Sequence, residues 1–146
     1  MENITIRSVE KPDYGDPKAL LRWFCITFGI IENSAPEDSP EEQILVRFIY
    51  AARQNRGLSI SDLKIHQKMP RSTFIYHLNR LVDAGVISKK GHTYKLRAND
   101  ISKVVEEINY DVSREFMRIA DTAKELDRLI EGSLSETKAL LKKNGV

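Results

Sequence analysis

A mainly α-helical fold with one small β-hairpin is predicted for this 146-residue chain. Three observations predict it. Apolar residues recur at helical spacing over several long segments. Helix-start signals built on Ser or Asp followed by Pro stand before two of them. A single stretch, "VISKKGHTYKLR" at 86–97, reads as strand, glycine-containing turn and strand. The expected organisation is an N-terminal extension with an apolar helix at 1–39, a compact domain at 40–97, and a long helix with a short tail helix at 98–146.

Ile4 and Ile6 alternate with polar residues, so 3–9 is expected as a short strand or an extended arm. "YGDP" marks a turn. Asp16 then caps a helix that opens on Pro17, where the missing N–H costs nothing. The helix is expected over about Pro17–Ile31. Its apolar residues, Trp23, Phe24 and Phe28 among them, wrap most of its circumference and demand burial on more than one side.

"ENSAPEDSP" is an acidic linker ending in Ser39, Pro40 and Glu42, a capping-box spacing. The helix that follows, Pro40–Gln54, carries the stripe Ile44, Leu45, Phe48, Ile49 and Ala52, and Gly57 is expected to end it. A short helix from Ser61 is expected next, with Asp62 in its first turn and Leu63 and Ile65 packing inward. The third helix of this group, about Pro70–Ala84, places Phe74, Leu78, Leu81 and Val82 on one face and stops at Gly85. In the hairpin Ile87, Tyr94 and Leu96 are expected to face inward.

Asn99 or Asp100 caps a final helix of about Asp100–Glu131. Ile101, Val105, Ile108, Val112, Phe116, Ile119, Ala123, Leu126 and Ile130 are spaced 4, 3, 4, 4, 3, 4, 3, 4 along it. That is a heptad with one four-residue stutter, on a helix roughly 45–50 Å long at 1.5 Å per residue. Such a stripe exceeds what a small domain can cover, so the same helix of a second subunit is the expected partner. Trp23, Phe24, Ile108, Val112, Phe116, Ile119, Ala123 and Leu126 are the candidate dimerisation residues. Packing on the chain's own N-terminal helix is the alternative, and the two are compatible. Gly132 is expected to stop the long helix, and Ser133 with Glu136 to start a tail helix through Lys143.

Cys25 is the single cysteine, which excludes an intramolecular disulfide and a cysteine zinc cluster and fits a reducing, cytoplasmic setting. The first residues lack a basic segment followed by an apolar core, so no signal peptide is expected. The most apolar run, Ala19–Ile31, contains Arg22 and is too short to span a bilayer, so no membrane association is expected. The net charge of +2 conceals a partition. Residues 40–97 hold 11 Lys and Arg against 4 Asp and Glu, or +7, between flanks at −3 and −2. A basic middle is the electrostatic footprint of a polyanion binder.

Three short helices, a hairpin and a basic surplus make a winged-helix arrangement. The run "ISDLKIHQKMPRSTFIYHLNRLVDAGVI" resembles the helix-turn-helix of ArsR-like and MarR-like transcriptional regulators. The residues that carry the likeness are Ser72-Thr73-Phe74-Ile75-Tyr76-His77-Leu78-Asn79-Arg80-Leu81, then Ala84-Gly85-Val86-Ile87 entering the wing. The resemblance covers about 40–97 and leaves the first 39 residues unmatched. It implies a winged helix-turn-helix fold, a homodimer and double-stranded DNA as partner. The motif is more specific for the fold than for DNA, since some winged helices bind proteins instead.

The residues support the same expectation by themselves. Ser72, Thr73, Tyr76, Asn79, Arg80 and Asp83 point away from the apolar face, and a helix of this width fits the major groove. Arg71 can donate two hydrogen bonds to guanine, and Asn79 can pair with adenine. Tyr76 can stack on sugar or touch a thymine methyl. Ser72, Thr73 and Arg80 are placed for phosphates, which set register without reading sequence. Lys89, Lys90 and His92 at the wing tip would meet the adjacent minor groove or backbone. Each residue also has a plainer role: Ser72 as a satisfier of helix-start amides, Tyr76 as a surface aromatic, Ile75 as core edge. His77 lies on the flank and is expected to pack, and Asp83 to sit beyond the DNA edge.

His66, His77 and His92 show no i, i+4 pairing, and no metal site or other cofactor is expected. Trp23, Phe24, Cys25 and Phe28 could line an effector pocket, but a plain core explains them better. Phosphate-loop, nucleophile-elbow and HExxH spacings are absent, so no enzyme is expected. The function expected is a homodimeric, sequence-specific DNA-binding transcriptional regulator, with a winged-helix protein adaptor as the alternative.

Overall fold

The computed structural model describes residues 3–13, 15–64 and 68–143. Tyr14 of the expected turn, and Ile65 and His66 after the second short helix, lie outside the described residues. The chain is mainly helical, with one two-stranded antiparallel hairpin. No described helix is long and apolar enough to cross a membrane. Two compact units divide it, residues 1–108 and 109–146.

In the first unit, α1 runs Pro17–Thr27, with the Asp16 carboxylate accepting from the Lys18 amide at 3.1 Å. It is four residues shorter than the apolar run predicts. Gly29 takes φ +67°, the Ile30 amide reaches the Cys25 carbonyl at 2.8 Å, and the Gly29 amide reaches Ile26 at 3.0 Å. This is a Schellman closure, which needs a left-handed residue where glycine carries no penalty. The chain reverses there and still buries Ile30 and Ile31, at 0% and 3% exposure. Residues 3–9, expected as a strand or an arm, form no strand. They are an arm, held where the Arg7 amide meets the Thr27 carbonyl at 2.7 Å and the Trp23 indole N–H donates to the Val9 carbonyl at 3.0 Å.

Helix α2 spans Pro40–Arg53 behind a complete capping box. The Glu42 amide donates to Ser39 Oγ at 3.3 Å, and the Ser39 amide donates back to Glu42 Oε2 at 2.8 Å. It ends at Arg53, and the left-handed residue that follows its cap is Asn55, φ +53°, rather than Gly57. Gly57 serves instead in a close approach, since a Cβ there would stand 3.3 Å from the Tyr94 carbonyl oxygen. Helix α3, Ile60–Lys64, starts one residue before Ser61, because Ser59 and Asp62 form a second capping pair: the Ser59 amide donates to Asp62 Oδ2 at 2.8 Å, and the Asp62 amide donates to Ser59 Oγ at 3.2 Å. The Ser59 amide and, at 3.0 Å, the Ser59 hydroxyl both donate to the Asp62 carboxylate and hold it below its usual range.

Helix α4 is Arg71–Asp83, and β1, Ile87–Lys90, pairs with β2, Thr93–Leu96, in the register Ile87 with Leu96 and Lys89 with Tyr94. Leu58 adds a further bridge, exchanging two 2.7 Å backbone hydrogen bonds with Tyr94. Phe48 of α2, Phe74, Leu78 and Leu81 of α4, and Ile87, Tyr94 and Leu96 of the hairpin close one core. Val82 and Ile49 are only half-buried at its edge.

Helix α5 begins at Ile101, capped by Asp100, whose carboxylate accepts from the Lys103 amide at 2.9 Å. Its first turns pack on the core through Val104 and Ile108, exposed by 0% and 1%, while Val105 is turned outward. In the second unit, from Asn109, α5 continues without a break to Lys143. The expected stop at Gly132 and the separate tail helix do not form. A helical glycine costs only about 1 kcal/mol against alanine, and the Thr137 hydroxyl donating to the Ser133 carbonyl at 3.0 Å lies within unbroken helix. Leu134 and Leu141 thereby continue the stripe of Leu126 and Ile130 at spacings of four and seven.

Candidate nucleic-acid interface

Helix α4 turns Phe74, Leu78 and Leu81 into the core, which fixes the direction of every other side chain on it. Its N-terminus is open. Pro70 occupies the cap position, no side chain caps the first amides, and the first turn holds no acid. The positive end of the helix dipole therefore meets solvent beside Arg71, a favourable place for a phosphate oxygen.

The hairpin brings its own basic residues to this end. Gly91 at φ +63° opens a two-residue turn, with His92 as the second residue. Only the first central residue takes positive φ, as in a type II′ turn. Ile87 is buried, while Ser88, Lys89 and Lys90 are exposed. The Lys89 ammonium lies 5.7 Å from the centre of the buried Tyr94 ring, which steadies its stem.

A cleft of about 380 Å3 between α4, the start of α3 and the hairpin unites four of the nine expected DNA-binding residues: Arg71, Asn79, Lys89 and His92. Ile75 forms part of its floor, and Ser59 and Ser61 its far wall. The sequence marks Ser61 only as a helix start and gives Ser59 no role, because nothing local in "LSISDLK" reports that the hairpin folds back beside them.

The other five candidates do not line this cleft. Ser72 and Lys90 are exposed, and Thr73 is half-buried. Tyr76 is 57% exposed, on the side of α4 that carries Arg80. Arg80, expected to hold phosphate, is engaged inside the protein. Its Nε donates to the Ile30 carbonyl at 2.7 Å and lies 3.6 Å from Glu41 Oε1, and its Nη1 donates to the Tyr76 hydroxyl at 3.3 Å. Its donors are aimed at the loop after α1, so it positions α4.

A buried polar cluster missed in the sequence stands behind this arrangement. Glu41 and Glu42 are both 6% exposed, although the first turn of a surface helix is where acids are expected in solvent. Glu41 Oε1 lies 2.7 Å from His77 Nδ1, so the flank residue His77 is a polar partner as well as a packing group. Glu42 faces Arg22 at 3.5 Å, and Arg22 also donates to the Asn33 and Pro36 carbonyls. Burial pushes the neighbouring Cys25 thiol up to about 12, with the Glu42 and Glu41 carboxylates adding to the shift.

The basic surplus of 40–97 is accordingly dispersed. Arg80 and Arg97 face Glu41 and Glu107, Arg56 faces Asp62, and the Lys95 ammonium donates to Asn55 Oδ1 at 2.8 Å.

Among the expected dimerisation residues, Phe24 and Ile108 are buried in the chain's own core, and Phe24 packs its ring on Phe28 at 4.8 Å. Trp23 is half-buried and holds the N-terminal arm. Val112 is half-buried, Ala123 is exposed, and Phe116, Ile119 and Leu126 are exposed by 67%, 60% and 55%. No protein-family model, curated protein or solved structure shows significant similarity to this chain.

Proposed function

We propose that this chain is a homodimeric, sequence-specific DNA-binding transcriptional regulator of the winged-helix kind, working in the cytoplasm. The observation that carries the reading is the cleft where Arg71 and Asn79 of α4 meet Lys89 and His92 of the hairpin, beside an uncapped helix N-terminus. Helix α4 enters the major groove, with Arg71 and Asn79 on base edges and Ser72 on phosphate. The hairpin follows the backbone to the neighbouring minor groove.

The dimer rests on the second unit. Phe116, Ile119, Leu126, Ile130, Leu134 and Leu141 repeat along one helix and are each about half exposed or more. A continuous exposed apolar stripe of this kind marks an interaction surface. Residues 109–143 carry seven basic and seven acidic side chains, so a second copy meets no net repulsion.

A protein-binding adaptor is the second reading, favoured by the internal engagement of Arg80, Arg97 and Lys95, which thins the positive field at the cleft. Selection from random duplexes with the purified chain separates the two. A regulator enriches one motif, with half-sites about one helical turn apart. An adaptor enriches none.

A further inference from the structure

Five arginines of the described residues are half-buried, and four of them have an acidic partner. Arg7 holds Glu32, Arg22 faces Glu42, Arg80 faces Glu41 and Arg97 faces Glu107. Arg47 of α2 is the fifth, and among the described residues no acid or acceptor is placed against it. Burial is the one influence on its basicity, pulling it below the ordinary arginine range with no carboxylate to offset the pull. A partly desolvated guanidinium without a counter-charge is costly unless an anion joins it.

Arg47 stands where two grooves meet, of about 390 and 270 Å3, with Tyr50 bordering both. The larger lies between α1 and α2. Its wall is mainly apolar, made by Leu21, Val46 and the side of Tyr50. Two acids border it and both are already partnered: Asp38 with Lys18 at 3.8 Å on the rim, and Glu42 with Ser39 and Arg22. Among the described residues that line it, the one charge left without an opposite partner is therefore the positive charge of Arg47. A volume within the usual range for small ligands, an apolar wall and one fixed charge define an amphipathic ligand.

We propose that the α1–α2 groove binds a small aliphatic carboxylate, with its carboxylate on Arg47 and its tail along Leu21 and Val46. Arg47 presents a planar fork that matches a carboxylate in a bidentate way. The site is remote in sequence from the α4–hairpin cleft, and its test uses no DNA, so it stands or falls apart from the regulatory reading.

Amide chemical shifts of the labelled full chain, titrated with octanoate, n-octanol and octylamine below their aggregation concentrations, test it. Octanoate is expected to give saturable shifts centred on Lys18–Leu21 and Gln43–Tyr50. It should bind about tenfold or more tighter than octanol, the worth of one charge-assisted contact, and octylamine should not saturate. Arg47→Gln should bring octanoate down to the affinity of octanol, and Arg47→Lys should lose less. Equal affinities for octanoate and octanol on the unaltered chain overturn the proposal without any variant. So do shifts centred on the exposed apolar residues of α5, or octanoate binding unchanged by Arg47→Gln in a folded protein.

Discussion

Arg80 Nε donates a 2.7 Å hydrogen bond to the carbonyl of Ile30, fifty residues earlier in the chain. The bond ties α4 to the loop that closes α1, and the adjacent Glu41 gives the guanidinium its counter-charge. Arg80 is thus a structural residue on a helix whose open end is assigned to DNA. Arg80→Ala should lower stability by about 1–2 kcal/mol, the worth of a charged, partly buried hydrogen bond. Arg71→Ala, at an exposed position without a partner among the described residues, should stay within about 0.5 kcal/mol. Urea denaturation of the two variants measures both, and equal losses contradict the division of roles.

Glu41 joins His77 and Arg80 from a position only 6% exposed. Removing this acid leaves Arg80 without its counter-charge and His77 without its carboxylate partner. Glu41→Ala should therefore cost about 3 kcal/mol. A double-mutant cycle with His77→Ala should give a coupling of about 1 kcal/mol or more. A coupling near zero would mean that the 2.7 Å contact carries no energy.

Cys25 is fully buried and its thiol is raised from 9.0 to about 12, first by burial. Between those values the folded chain keeps a proton that the unfolded chain gives up. Stability contributed by the neutral thiol is complete below pH about 9 and is lost as pH rises toward about 12. Cys25→Ala should flatten that alkaline slope in denaturation midpoints. The native thiol should also resist disulfide reagents at pH 8, since the reactive form is the thiolate. Rapid modification of folded protein would contradict the burial.

Gly132 lies within α5, and a Cβ built on it meets nothing within 4 Å. Gly132→Ala should add about 0.5–1 kcal/mol of helix stability, seen as increased helical circular dichroism on heating. A loss would mean that the helix stops there. On the proposed dimer, Leu126→Glu and Leu134→Glu should each shift sedimentation toward the monomer.

Local chemistry made much of this legible. Ser39 with Glu42, Asp16 with Pro17, and Gly85 after Val82 each announce an element end through bonds made within a few residues. The positions misplaced depend on partners far along the chain or on small energies. Gly29 stands inside an apolar run whose burial continues after the helix ends. Glu41 looks like any first-turn acid until His77 arrives from α4. Arg80 shares its outward pattern with Tyr76 and Asn79, and only the loop carbonyls at 29–30 reveal its direction. Gly132 resembles a stop because glycine often is one, yet one helical glycine is a small cost on a 43-residue helix. At the cleft, Arg71, Asn79, Lys89 and His92 were identifiable by chemistry, whereas the wall made by Ser59 and Ser61 required the hairpin's return beside α3.

The most direct test of the central claim is the affinity of Arg71→Ala and Asn79→Ala for the duplex selected by the unaltered protein, measured at two salt concentrations. Each variant should lose about 1–3 kcal/mol of discrimination against a mismatched base at its own position, while the unaltered protein weakens steeply with salt as phosphate contacts release counterions. Unchanged affinity and base preference in both variants would contradict the assignment of α4 as the element that reads DNA.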